Sequence, residues 1–257
     1  MYTFPIRPAV SRLPVSEKFG RLVNPRFQRV LGSQDRSISE RKKLMNKRFI
    51  LSITVLLAAS LACSLGGGGA GTDPNVLFQD DFSDTSSGWD QVDTDAGTTD
   101  YSDGSYRILV NQEQYDAWAN PGKSFDGDVV VEVDATKATG PDNNDFGVLC
   151  HYQDVDNFYY FQITSDGYAV IGKVTGGQQS KISGDDYESA SAVHQGDAAN
   201  HIRGECVGNT LTLIVNGEQV LTATDTDHTG GDVGLIAGTF DTAGTDILFD
   251  NFVVSEP

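Results

Sequence analysis

Beyond residue 62 the chain has almost no positive charge. Twelve of its 18 Lys and Arg lie in the first 62 residues, leaving 33 acids against 6 bases, a formal charge of −27, over the remainder. A surface of that sign repels phosphate backbones and excludes nucleic acid as a partner of this part. Cysteine is scarce as well: three residues, too few for a disulfide-rich scaffold. The four histidines, His151, His194, His201 and His228, show no ligand spacing. There is no H-E-x-x-H, no G-x-S-x-G elbow, no complete phosphate-binding Gly-Lys-Ser/Thr loop and no dinucleotide fingerprint. Long apolar runs are missing too. The stretch from Phe49 to Ala62 is the most apolar, and it falls short of the roughly 20 residues a membrane-spanning helix needs.

That stretch has another reading. From Met45, "MNKRFILSITVLLAASLAC" has a short positive region (Lys47, Arg48), an apolar core and small residues before Cys63, the three-part layout of a secretory signal. Its end, Ser60-Leu61-Ala62-Cys63, resembles the lipobox of bacterial lipoproteins, with Ser60 where that family usually has Leu. The resemblance implies cleavage before Cys63 and lipid attachment to it, so that acyl chains anchor the chain at a membrane. The expected location is the outside of a bacterial cell envelope, or the medium if lipidation fails. Residues 1–44 are read as an over-extended or disordered basic leader, 45–63 as the signal segment, and 64–74 ("SLGGGGAGTDP") as a flexible tether.

Residues 75–257 read as one all-β domain. Apolar or β-branched runs at 76–82, 105–110, 115–119, 128–138, 146–153, 158–164, 168–174, 201–207, 210–215, 232–239 and 246–254 are separated by Gly, Asp and Asn clusters. The irregular stretch 183–200 is expected to hold at most a short helical turn. Gly208-Asn209 and Asn216-Gly217 mark two-residue hairpins. So many hairpin-linked strands imply a two-layer sandwich or jelly roll of antiparallel sheets. The segments "DDFSDTSSGW", "DVVVEVDATK", "NDFGVLCHYQDVDNFYYFQITSDGY", "NTLTLIVNGEQV" and "GDVGLIAGTFDTAGTDILFDNFVV" carry a further resemblance. Their order is similar to the laminin-G-like, concanavalin A-like sandwiches of bacterial surface lipoproteins. That group includes the 3-keto-disaccharide hydrolase domain and family 16 glycoside hydrolases.

What this resemblance implies for activity is limited, because the fold hosts lectins, hydrolases and spacers alike. Family 16 enzymes carry Glu-x-Asp-x-(x)-Glu on one strand, where alternate residues share a face. Here Glu132 and Asp134 match, but the third place falls on Thr136 or Lys137, neither of which can be the acid/base carboxyl. The pair therefore reads as the exposed side of a strand. The expectation is a non-catalytic binding module for a carbohydrate or another surface polymer, acting as a monomer. The alternatives are a glycoside-active hydrolase of the 3-keto-disaccharide or family 16 type, and a structural or adhesive module. No cofactor is required on this reading. The resemblance also implies a structural Ca²⁺, for which the acidic loops offer Asp81, Asp84 and Asp250.

Ligand contacts on a sandwich need rings flanked by polar side chains. Trp118, Tyr115, His151 and Tyr159 are the candidates, whereas Trp89 is expected to pack over the end of the sandwich. Residues 146–152 and 158–164 read as an antiparallel pair turned by "QDVDN". Setting Tyr152 opposite Phe158 pairs Cys150 with Tyr160 and places His151 beside Tyr159. With Cys63 lipidated, Cys150 and Cys206 remain, both on core-facing sides. They are expected to form a disulfide, the alternative being two buried thiols.

Overall fold

The computed structural model describes residues 75–257; the leader, the signal segment, Cys63 and the tether lie outside them. Sixteen strands make up the described part: β1 (Val76–Asp80), β2 (Val92–Thr94), β3 (Gly97–Ser102), β4 (Ser105–Val110), β5 (Asp116–Ala119), β6 (Val129–Thr139), β7 (Asn144–Asp154), β8 (Asn157–Ile163), β9 (Tyr168–Thr175), β10 (Gln178–Lys181), β11 (Glu188–Ser189), β12 (Asn200–Val207), β13 (Thr210–Val215), β14 (Glu218–Thr224), β15 (Asp232–Thr239) and β16 (Thr245–Ser255). No helix occurs among the described residues, and the stretch expected to hold a helical turn contributes the short β11 instead.

The strands form two antiparallel sheets. One has nine strands in the order β14-β13-β12-β6-β16-β4-β3-β2, with β1 added beside β16. The other has seven, in the order β10-β9-β8-β7-β15-β5, with β11 against β9. Alternation decides which side chains meet between them. Val131, Val133 and Ala135 of β6 and Ile202 and Cys206 of β12 face Phe146, Val148 and Cys150 of β7 and Tyr159, Phe161 and Ile163 of β8, all buried in one core. Both marked hairpins close as expected, Val207 opposite Thr210 and Val215 opposite Glu218. Asn216 and Gly217 both take positive φ, as the favoured two-residue turn requires.

Cys150 and Cys206 form a disulfide with Cα atoms 6.7 Å apart, which bolts β7 of one sheet to β12 of the other. At one end of the sandwich Asp80 organises a corner. Its Oδ1 accepts from the Phe82 N–H (2.8 Å), and its Oδ2 accepts from Trp89 Nε1 (3.0 Å) and from the Ser87 hydroxyl. The Trp89 indole then packs edge-on against Phe252, with centroids 4.9 Å apart. "DDFSDTSSGW" is thus a packing device.

The β7–β8 pair differs from the expected register by one residue. Cys150 lies opposite Tyr159, and Leu149 opposite Tyr160. The reason is a bulge. Against β15, Leu149 pairs with Gly234 and Tyr152 with Asp232, so Cys150 and His151 together oppose Val233. His151 takes φ 49°, and both residues of the bulge are buried. A bulge of this kind reverses the alternation beyond it. Tyr152 therefore turns outward, onto the side of Leu149, Phe158 and Tyr160.

Candidate functional site

The outer side of the seven-stranded sheet is concave. Edge strands β10 and β5 are five strand spacings apart, about 24 Å if the sheet were flat. Yet Gln179 Nε2 of β10 donates to Asp116 Oδ2 of β5 at 3.5 Å. The sheet must curl around its outer face for those side chains to meet. Leu149, Phe158, Tyr160, Val170 and Ile236 form the floor, buried beneath half-exposed Trp118, Tyr152, Val174 and Tyr187. Glycine keeps parts of this floor low. A Cβ on Gly172 would run into the Tyr160 ring, which lies across it.

At one end of the concavity two carboxylates converge. A Cβ on Gly238 would strike Oδ1 of both Asp116 and Asp145, which flank it from β5 and β7. Asp145 is fully buried and accepts from Gln162 Nε2 (2.9 Å) and from the Tyr187 hydroxyl (2.9 Å). Tyr187 comes from the stretch between β10 and β12 and caps this end, its ring packed against Phe240.

The other end is aromatic and acidic. Trp118 and Tyr152 each pack against Phe158, with centroids 5.5 Å away. Burial pushes the Tyr152 phenol above its ordinary range. Asp232 sits directly opposite Tyr152. Its carboxyl is pushed up to about 6, chiefly by burial, with nearby Asp90 adding to the effect. The backbone N–H groups of Val233, Lys123 and Gly122 offset part of that rise. A carboxyl tuned toward neutral pH can either accept a hydroxyl or take a proton.

The residues singled out in the sequence fall in different places. Trp118 lies half-buried on the concave face. Tyr115 lies on the opposite side of β5, against the core between the sheets. His151 and Tyr159 are buried inside the sandwich and face no open groove. The Tyr159 hydroxyl donates to Asp225 Oδ1 (2.7 Å) and accepts from the His228 N–H (3.1 Å). Both displacements follow from the bulge, which shifts the parity that the strands' alternation suggested. Asp116, Asp145, Tyr152, Gln162, Tyr187 and Asp232 escaped notice because no local spacing joins them. Only the pairing of β5, β7, β8 and β15 does.

Glu132 and Asp134 sit on the outer side of the nine-stranded sheet, remote in the fold from the concavity. Glu132 accepts from Arg203 Nη1 (3.0 Å), and Asp134 pairs with His201 Nδ1 (2.8 Å) and Asn251 Nδ2 (3.0 Å). They are the polar side of a strand. Asp81, Asp84 and Asp250 each bind locally, to Ser83, Ser86 and the Asn251 N–H. Among the described residues these three are not brought together as ligands. Among the described residues, the one group of three His, Cys, Asp or Glu side chains with ligand atoms within 4.8 Å of one another is Cys150, His151 and Cys206. The two sulfurs are bonded to each other, so neither is available as a thiolate.

Two antiparallel sheets, one curled around a cleft, define a concanavalin A-like β-sandwich. Residues 73–254 match the model of the 3-keto-alpha-glucoside-1,2-lyase-like domain, and the chain belongs to that family. A β-glucanase of Bacillus licheniformis superposes with a TM-score of 0.51 at 11% identity, covering 72% of this chain and 100% of that one. A Bacillus subtilis protein of galectin-like fold and unknown function gives 0.52 at 12% identity, covering 71% and 96%. A family 16 non-specific endo-β-1,3(4)-glucanase gives 0.51 at 9% identity, covering 70% and 90%. At these identities the likeness is one of fold. Among curated proteins no sequence matches this chain.

Proposed function

We propose that the concave face of the seven-stranded sheet binds a saccharide, and that the sugar is of the 3-keto-α-glucoside class for which the family is named. The observation that carries this reading is the half-exposed Trp118–Tyr152 pair at the mouth of a cleft, with the half-buried carboxyls of Asp232, opposite Tyr152, and Asp116, two residues before Trp118, on the same face. Rings supply a stacking surface for the apolar face of a sugar, and carboxylates accept from its hydroxyls. Titration calorimetry of the chain with methyl 3-keto-α-glucoside tests it. Binding is expected, and Trp118→Ala abolishes it.

A second reading makes the chain a lyase, and Asp232 favours it, with its carboxyl pushed up to about 6 beside Tyr152. In a 3-keto-glucoside the C2 proton is acidified by the neighbouring ketone. Asp232 would take that proton, the C2–H electrons would form a C1=C2 bond, and the C1–O bond would break. The aglycone leaves with a proton from solvent or a neighbouring acid. Release of nitrophenol from a nitrophenyl 3-keto-α-glucoside, lost in Asp232→Asn, would support this. Binding without release would leave the non-catalytic reading. The same proposal keeps a lipid anchor at Cys63, supported by Ser60–Cys63 and the glycines that follow. The mass of the mature N-terminal peptide checks it.

A further inference from the structure

We infer that Tyr187 is a specificity-determining residue: it stops one end of the concave face, so that the site admits a single terminal sugar and refuses a sugar linked on both sides. The inference rests on the reading of that face as the saccharide site. A face that binds the interior of a chain must be open from rim to rim, with polar side chains left to meet each successive ring. This one is open at Trp118, Tyr152 and Asp232 and closed at Tyr187.

The Tyr187 side chain is held at both its ring and its hydroxyl. The hydroxyl reaches Asp145 Oδ2 (2.9 Å) and, more distantly, Gln162 Oε1 (3.4 Å). Asp145 and Gln162 are fully buried, and Gln162 Nε2 donates to the other carboxylate oxygen (2.9 Å). The polar groups at this end are therefore engaged from within the chain. The phenol stands where a sugar hydroxyl would otherwise meet them. The ring packs edge-on against Phe240 with centroids 5.6 Å apart, and Lys181 Nζ lies over it at 5.5 Å. Asp186 joins the two, its Oδ1 accepting from Lys181 Nζ (2.6 Å) and from the Tyr187 N–H (2.9 Å).

The stretch that carries Tyr187 is itself anchored to the sheet. Before it, the Ile182 N–H donates to the Ile171 carbonyl (2.9 Å), and Ser183 Oγ accepts from the Ile171 N–H (3.0 Å). After it, β11 pairs with β9, Glu188 opposite Ala169 and Ser189 opposite Tyr168. The Tyr160 hydroxyl donates to the Ser180 carbonyl (3.3 Å), so the floor of β8 is bonded to β10 as well. Tyr187 is thus built into the edge of the sheet, and a ligand meets it as a wall. What stays open is the platform of Trp118 and Tyr152 beside Asp232. Both rings lie against the same Phe158, and a platform around one shared neighbour has room to stack one sugar.

The test is calorimetric titration of the whole chain with two probes. One is methyl 3-keto-α-glucoside, and the other is an α-1,4-linked glucose trisaccharide whose middle ring carries the 3-ketone. That middle ring is linked on both sides, so one link must point at Tyr187 whichever way the ring lies. The readout is the ratio of the two affinities, which a general loss of binding does not move. We expect the natural chain to bind the trisaccharide at least about thirty-fold more weakly, the scale of the charged hydrogen bond that displacing Tyr187 would break. In Tyr187→Ala the two affinities should come within about three-fold of each other. Tyr187→Phe, which keeps the ring and loses the hydroxyl, should lie between. If Tyr187→Ala does not fold, Tyr187→Phe decides, and a ratio unchanged from the natural chain overturns the inference. Equal affinities of the natural chain for both probes, or a ratio that Tyr187→Ala leaves untouched, would also overturn it. Binding of neither probe by the natural chain would sink the saccharide reading itself, and this inference with it.

Discussion

Gln179 and Asp116 stand on opposite edges of one sheet, and their side chains meet at 3.5 Å. The contact shows that the seven-stranded sheet wraps its outer face. It also makes the β9–β10 hairpin one wall of the cleft. Because the bond is exposed and long, Gln179→Ala should change stability by less than about 0.5 kcal/mol. Its effect should appear in hydrogen exchange. Amides of Gln178–Lys181 exchange faster in the variant, while those of β7 and β8 are unchanged.

The disulfide closes a loop of 56 positions and links the two sheets. Loop-closure entropy puts its contribution at about 4 kcal/mol. Reduction, or the paired substitution Cys150→Ala with Cys206→Ala, should lower the denaturant midpoint accordingly. Thiol labelling of the unfolded, unreduced chain should leave both cysteines unmodified.

Asp80 serves three donors at the corner, the Phe82 N–H, the Ser87 hydroxyl and the Trp89 indole. Removing the carboxylate strands buried donors, which costs more than the bonds themselves are worth. Asp80→Ala should destabilise the fold by about 2–3 kcal/mol in chemical denaturation. Trp89 fluorescence should report the loosening.

Asp232 sets a pH dependence. Its folded-state carboxyl is raised to about 6, well above its value in an unfolded chain. The folded form therefore binds the proton more tightly. The stabilisation from that proton is fully present below about pH 4 and is lost as the pH climbs through about 6. Asp232→Asn removes the burial penalty of the charged form. The variant should be more stable at pH 7, by about 1 kcal/mol after discounting for its half-exposed position, and equal at pH 4. Thermal melts at the two pH values separate these outcomes.

The strands' existence and the two hairpins around β13 were legible because Gly-Asn and Asn-Gly turns punctuate clean alternation. That punctuation also put Cys206 on the core side, opposite Leu211. The concave face was much less so. Histidine carries no sign that it will take positive φ, so the bulge at His151 could not be read. One extra residue there exchanged the faces beyond it, sending Tyr152 out and leaving His151 and Tyr159 inside. Asp116 and Asp145 are 29 positions apart and meet only because β15 pairs with both their strands. Strands β2, β3, β10 and β14 lacked the dense apolar runs that mark buried strands, and most of their residues are exposed or half-buried.

The concave face as a saccharide site is tested most directly by calorimetric titration of the chain with methyl 3-keto-α-glucoside, alongside Trp118→Ala and Glu132→Gln. Binding by the natural chain and by Glu132→Gln, with none by Trp118→Ala, is the predicted result. Binding that survives Trp118→Ala but is lost in Glu132→Gln would place the ligand on the opposite sheet and contradict it.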